Sequence, residues 1–187
     1  MDKKDKKILL SIARESIKSS ITNTPGEHIQ IETTSPSLIK KSGAFVTLKS
    51  HGKLRGCIGR MDSNIPLYKL VSEMAVSAAK EDPRFNQIQL SELEDLEIDI
   101  SVLTPLQKID DPLDFELGRH GIYIKKAFST GCFLPQVATE NGWTKEEFLS
   151  QCCSMKAGLS PDAWKSKNID IYIFTSEMIS EKTNKNS

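Results

Sequence analysis

The feature that most restricts the fold of this chain is a change from strand-like to helix-like periodicity, which occurs twice. In the first half, residues 43–49 are rich in strand formers, Ser50–Gly52 supplies a turn, and residues 53–59 return as a second strand. After Pro66, apolar residues recur at the spacing of one helical face, and residues 97–102 then alternate between polar and apolar. The first half therefore predicts a hairpin, a helix and a strand in that order.

The second half repeats this order with different residues. Residues 121–125 and 131–137 are typical of strands, and residues 169–174 alternate as a last strand. Between them, Thr144 and Glu147 match a capping box at the start of a helix. The second half therefore also predicts a hairpin, a helix and a strand.

Together these patterns predict an α+β fold built on largely antiparallel sheet. Isoleucines at helical spacing in residues 8–21 add an amphipathic N-terminal helix. We expect one domain over residues 1–180, with a first repeat at about 43–105, a second repeat at about 118–176 and a polar tail at 181–187.

The composition argues against several functional classes. Twenty-five basic and twenty-five acidic residues cancel, so there is no net positive charge to attract nucleic acid or an anionic membrane. No apolar run approaches the ~20 residues that span a bilayer, and acidic residues among the lysines of residues 1–7 argue against a secretory signal. The cysteines at 57, 132, 152 and 153 lack CxxC spacing and scaffold density, which predicts reduced thiols in a cytoplasmic protein. No metal site is predicted from that spacing.

The hexapeptide Leu54–Gly59, with the sequence LRGCIG, is the candidate functional site. If the strand alternates regularly, Arg55, Cys57 and Gly59 share one face and the other three residues share the opposite face. A guanidinium near a thiol favours the thiolate, which predicts a reactive Cys57 and an anion-binding Arg55. The alternatives are a buried apolar cysteine and a surface salt bridge. Gly56 and Gly59 either cradle the anion or permit a tight bend in the sheet.

His120 and Gln136 are candidates outside the hexapeptide. His120 could act as a general base or metal ligand and would pair with Cys57 as in thiol–imidazole catalysis; alternatively, it satisfies its own turn. Gln136 would share a strand face with Cys132 and offer amide hydrogen bonds to a ligand. The alternative for Gln136 is to satisfy backbone groups that Pro135 leaves unpaired.

Arg84 is the remaining candidate. It lies in the segment Asp82–Phe85, which is expected to form a turn after the first long helix, with Asp82 and Arg84 paired locally. The alternative is that Arg84 lines a ligand pocket.

Several short motifs resemble, in their order, those of the AMMECR domain family. The motifs are Gly43–Leu48, Leu54–Gly59, Asp82–Phe85, Ser101–Pro105, His120–Gly121, Leu134–Val137, and Lys156–Leu159 followed by Trp164. The similarity covers about residues 5–175. The family pattern has a cysteine where this chain has Ser154, so a role of that cysteine does not carry over.

The resemblance implies two β-rich repeats that share one barrel-like sheet. It also implies that the chain is the A component of the prokaryotic AmmeMemoRadiSam system, which contains a Memo-type protein and a radical SAM enzyme. LRGCIG is the family's functional signature, so Cys57 is expected to be the reactive thiol of a site for a small anionic ligand. The alternative is a non-catalytic module whose motif surface docks onto a protein. The cofactor stays unknown.

Overall fold

The computed structural model describes residues 1–22, 24 and 35–182. The helices are α1 (Lys3–Thr22), α2 (Pro36–Ile39), α3 (Leu67–Lys80), α4 (Gln136–Asn141) and α5 (Lys145–Gln151), with a π-helix at Cys152–Lys156 and 3-10 helices at Leu90–Glu92 and Pro161–Lys165. The strands are β1 (Ala44–Ser50), β2 (Lys53–Arg60), β3 (Leu96–Leu103), β4 (Gln107–Ile109), β5 (Gly121–Lys126), β6 (Ser129–Phe133), β7 (Asp170–Phe174) and β8 (Ser176–Ser180). The predicted α+β class with antiparallel pairing is confirmed.

The chain divides into two compact units with matching strand order. The first unit is Met1–Val102 with Glu177–Ser187, and the second unit is Leu103–Ser176. The strand order is β2-β1-β3-β8 in the first sheet and, written in the same sense, β6-β5-β7-β4 in the second. In both sheets, the first strand of the hairpin is central and pairs antiparallel with two neighbours. The repeated sequence pattern therefore corresponds to a repeated topology.

The single barrel-like sheet expected from the resemblance is not observed among the described strands. They form two separate four-stranded sheets. Each sheet covers its apolar face with its own helices: Leu9, Leu70 and Ile98 belong to the first core, and Phe148 and Ile124 belong to the second. Because each half buries its own apolar surface, neither sheet depends on strands of the other for its core.

The N-terminal helix is confirmed as α1. Its inward stripe of Leu9, Ile12, Ala13 and Ile17 is buried at the spacing of one helical face. The sequence also has turn signals at Asn23, Pro25 and Gly26, a candidate short strand at 29–31 and a polar connection with a solvated His28, and these predictions lie outside the described residues.

The start of α4 corrects the predicted strand at 131–137. Strand β6 ends at Phe133, and Pro135 occupies the N-cap position of α4 with helical dihedral angles. Proline suits this place because its missing N–H and fixed φ cost nothing at the beginning of a helix. Gln136 is therefore the first residue of a helix and does not share a strand face with Cys132. In the next helix, the predicted capping box is present, with Thr144 N–H donating to Glu147 at 2.8 Å.

The segment after β8 is anchored at its first residue. The Glu181 carboxylate accepts hydrogen bonds from Arg14 Nη2 at 2.6 Å and from the Ile98 N–H at 3.0 Å. The polar tail predicted at 181–187 is therefore held at its first residue, and residues 183–187 lie outside the described part of the chain.

Candidate active site around Cys57

Strand β2 contains a bulge at Arg55, which changes the predicted faces of the hexapeptide. In the register with β1, Leu48 lies opposite Gly56 while Lys49 lies opposite Leu54, so Arg55 is the extra residue. Cys57 keeps the face opposite the helical core, but Leu54 joins it on that face. The predicted placement of Arg55 beside Cys57 by regular alternation is therefore wrong.

Arg55 is bound by a carboxylate of its own chain. Its Nε and Nη2 donate to the two Glu92 carboxylate oxygens at 2.7 and 3.0 Å, and its Nη1 donates to the Asn86 carbonyl at 2.7 Å. The hydrogen bond from Arg55 lowers the pKa of Glu92. This bidentate pair ties β2 to the 3-10 helix at Leu90–Glu92, so an anion would compete with Glu92 for Arg55.

The two glycines of the hexapeptide are required by close packing. A Cβ at Gly56 would overlap the carbonyl oxygen of Ala78 in α3, and a Cβ at Gly59 would overlap the ring of Phe45 on β1. Real side chains do not approach a backbone atom so closely. These contacts account for both glycines through packing, whereas their predicted role in cradling an anion stays a prediction.

The Asp82–Phe85 turn closes the outer edge of β2 at Cys57. The buried Asp82 carboxylate accepts the Cys57 N–H through Oδ2 at 2.8 Å, and Arg84 Nη2 donates to the Cys57 carbonyl at 3.3 Å. Arg84 also donates hydrogen bonds to the Asp82 carboxylate, from Nε at 2.9 Å and from Nη2 at 2.7 Å. The predicted local pairing of Asp82 and Arg84 is observed, and it satisfies an edge-strand donor and acceptor.

This ion pair shifts the pKa of both partners. The hydrogen bond from Arg84, the largest cause, holds the pKa of Asp82 at about 2, and the N–H of Cys57 contributes in the same direction. The hydrogen bond to Asp82 raises the pKa of Arg84, and the charge of Cys57 is a further, smaller cause in the same direction. Asp82 is therefore ionised at neutral pH, and Arg84 is electrostatically coupled to Cys57.

The Cys57 side chain belongs to a row of polar side chains across three strands, which we call the polar row: Cys57 on β2, Thr47 on β1 and Asp99 on β3. The three residues are cross-strand partners, with Cys57 Sγ 3.1 Å from Thr47 Oγ1. Asp99 is 9% exposed and pairs with Lys49 Nζ at 2.8 Å. The half-buried thiol thus lies among polar groups and outside the apolar core of its unit.

The second unit contains a counterpart of this arrangement with different chemistry. Cys132 on β6 lies opposite Tyr123, which lies opposite Tyr172, and the two tyrosine rings are 6.0 Å apart. Gly131 presses against the backbone of Ala157, as Gly56 does against α3. The equivalent positions therefore carry an aromatic pair in one unit and a hydroxyl with a carboxylate in the other.

His120 and Gln136 belong to the second unit, whereas Cys57 belongs to the first. His120 Nδ1 accepts the Glu116 N–H at 3.0 Å, which satisfies its own turn and leaves Nε2 for any proton transfer. The carbonyl of Gln136 accepts the Thr139 hydroxyl at 2.8 Å within α4. The catalytic role of His120 and the ligand role of Gln136 stay predictions.

The adjacent cysteines Cys152 and Cys153 serve the second core. Both are fully buried, and desolvation raises the pKa of each thiol. Within the described residues, no group of three or more His, Cys, Asp or Glu side chains could hold a metal ion. The same residues include no helix long and apolar enough to cross a membrane.

Sequence reasoning did not single out Thr47, Asp99 or Glu92. A signal for Asp99 was present, because it alternates with the buried Ile98 and Ile100 and so had to face away from the core. Its partner in the row, however, depends on cross-strand register, which the sequence does not show.

Comparison with known proteins finds a family profile, similar sequences and a similar solved structure. A profile of the family described as AMMECR1 matches residues 10–179. Protein MK0488 of Methanopyrus kandleri is 40% identical over 183 residues, covering 93% of this chain and 87% of that protein. A protein of Thermococcus onnurineus is 41% identical over 185 residues, covering 93% and 89% respectively. The crystal structure of uncharacterized protein PH0010 from Pyrococcus horikoshii matches with a TM-score of 0.85 at 37% identity, covering 91% of this chain and 88% of that one.

Proposed function

The chain belongs to the AMMECR1 family, and we propose that it works as the A component of the AmmeMemoRadiSam system. In this proposal it acts with a Memo-type protein and a radical SAM enzyme, and Cys57 is its reactive thiol. The partnership rests on the resemblance of the ordered motifs, and the assignment of the thiol rests on the surroundings of Cys57.

The observation that carries the thiol assignment is the position of Cys57 in the polar row. Its Sγ lies 3.1 Å from the Thr47 hydroxyl, and its backbone is held by Asp82 and Arg84. A partly exposed thiol near a cation suits a nucleophile or a soft ligand, whereas a thiol in an apolar core is inert. Cys152, fully buried in the second core, is of the inert kind.

A small anionic ligand at this site would contact Arg84. Arg55 is a poorer anchor because Glu92 occupies two of its donors. Arg84 Nη1 makes no hydrogen bond within the part of the chain that the structure describes, and its side chain is 46% exposed. His120, in the second unit, stays a predicted general base; its Nδ1 already accepts the Glu116 N–H, so Nε2 is the nitrogen that would act.

The test is the pH dependence of Cys57 alkylation in the native protein. Iodoacetamide labelling is followed peptide by peptide, with the half-buried Cys132 as an internal reference in the same sample. The proposal expects Cys57 to react faster than Cys132 and to titrate below the ordinary thiol value of about 8.5. A Cys57 that labels no faster than Cys132 and titrates at or above that value refutes the reactive thiol.

The second candidate function is a non-catalytic module that docks a partner protein. The observation in its favour is that Arg55, Gly56 and Gly59 all have structural contacts, while the bulge brings Leu54, 42% exposed, onto the face of Cys57. An exposed leucine on a rigid strand is a suitable anchor for a partner.

Co-purification with the Memo-type and radical SAM proteins of the native host separates the two candidates. The docking module expects Leu54→Asp to abolish capture and Cys57→Ser to leave it intact. Failure to retain either partner with the unaltered chain counts against the proposed system as well as against the module.

A further inference from the structure

The ion pair Asp82–Arg84 holds the backbone of Cys57 from both sides. Asp82, which is 4% exposed, accepts the Cys57 N–H at 2.8 Å, and Arg84 donates to the Cys57 carbonyl at 3.3 Å. The two side chains are joined to each other by two further hydrogen bonds of 2.9 and 2.7 Å. One anion and one cation are thus fixed next to the same thiol-bearing residue.

Two other ion pairs lie near Cys57 in its unit. On the face of the thiol, Lys49 of β1 pairs with Asp99 of β3 at 2.8 Å. Along its own strand, Arg55 pairs with Glu92 at 2.7 Å. The Asp82–Arg84 pair differs from these pairs because both of its members also bond directly to Cys57.

We propose that Asp82 and Arg84 are positioning residues that set the reactivity of Cys57 with charges of opposite sign. Arg84 is the cation that favours the thiolate, and Asp82 both fixes the Cys57 backbone and offsets that cation. This proposal deepens the proposed function by replacing Arg55, which the sequence pattern favoured, with Arg84. The biological role of this arrangement rests on the proposed function. The change that it predicts, in the reactivity of the Cys57 thiol, can be measured independently of that function.

The sign of each substitution follows from the charge that it removes. Asp82→Asn keeps a side-chain oxygen that can accept the Cys57 N–H but leaves the Arg84 charge without its counterion, so the pKa of the Cys57 thiol falls. Arg84→Gln leaves the Asp82 carboxylate alone beside Cys57, so the same pKa rises. Charge changes at this range shift a pKa by about one unit, which corresponds to roughly a tenfold change in the thiolate fraction below the pKa.

The experiment measures the alkylation rate of Cys57 against pH in the full chain, for the wild type and for the variants D82N, R84Q, R84K and the double variant D82N/R84Q. Arg60→Gln is the matched control, because Arg60 also lies on β2 in an ion pair, with Glu73, but makes no bond to Cys57. Cys132 labelling in each sample reports whether the second unit has stayed folded.

We expect the pKa of the Cys57 thiol to fall in D82N and to rise in R84Q. R84K and R60Q should resemble the wild type, and the double variant should lie between the two single variants. Shifts of the same sign, or no shift in R84Q, would overturn the proposal, because a purely structural role loosens the strand in both variants. R84Q keeps the test decisive even if D82N does not fold, since Arg84 is half exposed. A wild-type Cys57 that reacts no faster than Cys132 refutes the proposed function alone, because the opposite shifts remain measurable on a slow thiol.

Discussion

Replacing Asp82 by Asn should remove a pH-dependent part of the stability of the first unit. Ion pairing with Arg84 lowers the pKa of Asp82 from 3.8 to about 2 in the folded chain. A difference of this size corresponds to about 2 kcal/mol of the free energy of unfolding at neutral pH. Solvent screening makes this value an upper bound, because the Arg84 side chain is 46% exposed although that of Asp82 is only 2% exposed.

The way in which the stabilisation by Asp82 depends on pH follows from its lowered pKa. A carboxyl group whose pKa is depressed by folding contributes its full stabilisation above the unfolded value of 3.8 and loses it as the pH falls through about 2. The gap in unfolding free energy between the wild type and D82N should therefore be largest near pH 6 and should narrow by about 1 kcal/mol at pH 3.

Urea denaturation followed by circular dichroism at a series of pH values measures this gap. Glu92 and Glu177 also have lowered pKa values, but they occur in both proteins and cancel in the difference. Arg84→Gln should reproduce the narrowing, because it removes the cause of the shift. A gap that stays constant from pH 6 to pH 3 would show that Asp82 contributes only shape and hydrogen bonding, and the electrostatic reasoning would fail.

Three further predictions concern packing, backbone strain and burial. Gly56→Ala should lower the unfolding free energy by about 1–3 kcal/mol in urea titrations, since its Cβ would overlap the Ala78 carbonyl oxygen; unchanged stability would refute the tight contact. Ala127→Gly should raise stability by about 0.5–1 kcal/mol, because Ala127 has φ 51° at the tip of the β5–β6 hairpin, and a loss would contradict that strain. Cys152 and Cys153, whose thiol pKa values are raised by burial, should resist alkylation until the chain unfolds; rapid labelling of either in the native protein would contradict their burial.

Local signals were sufficient wherever a single segment determines its own structure. The isoleucine spacing of α1, the capping box at Thr144 and the turn that pairs Asp82 with Arg84 are all properties of a few consecutive residues. Their physical causes, helical periodicity, N-terminal donors and short-range ion pairing, act within one or two turns of chain. The strand predicted through Pro135 is wrong because, from sequence alone, proline is equally compatible with a break in a strand and with the start of a helix.

The sequence by itself determined the α+β class, the repeated order of hairpin, helix and strand, and the segment in which the candidate site lies. Only the tertiary structure decided which residues meet there. The bulge at Arg55 depends on how β2 pairs with β1, and it places Leu54 instead of Arg55 on the face of Cys57. Arg55 binds Glu92, while Arg84, 27 residues from Cys57 along the chain, is the cation bonded to the backbone of the thiol residue, and neither contact can be read from local sequence because both join distant segments.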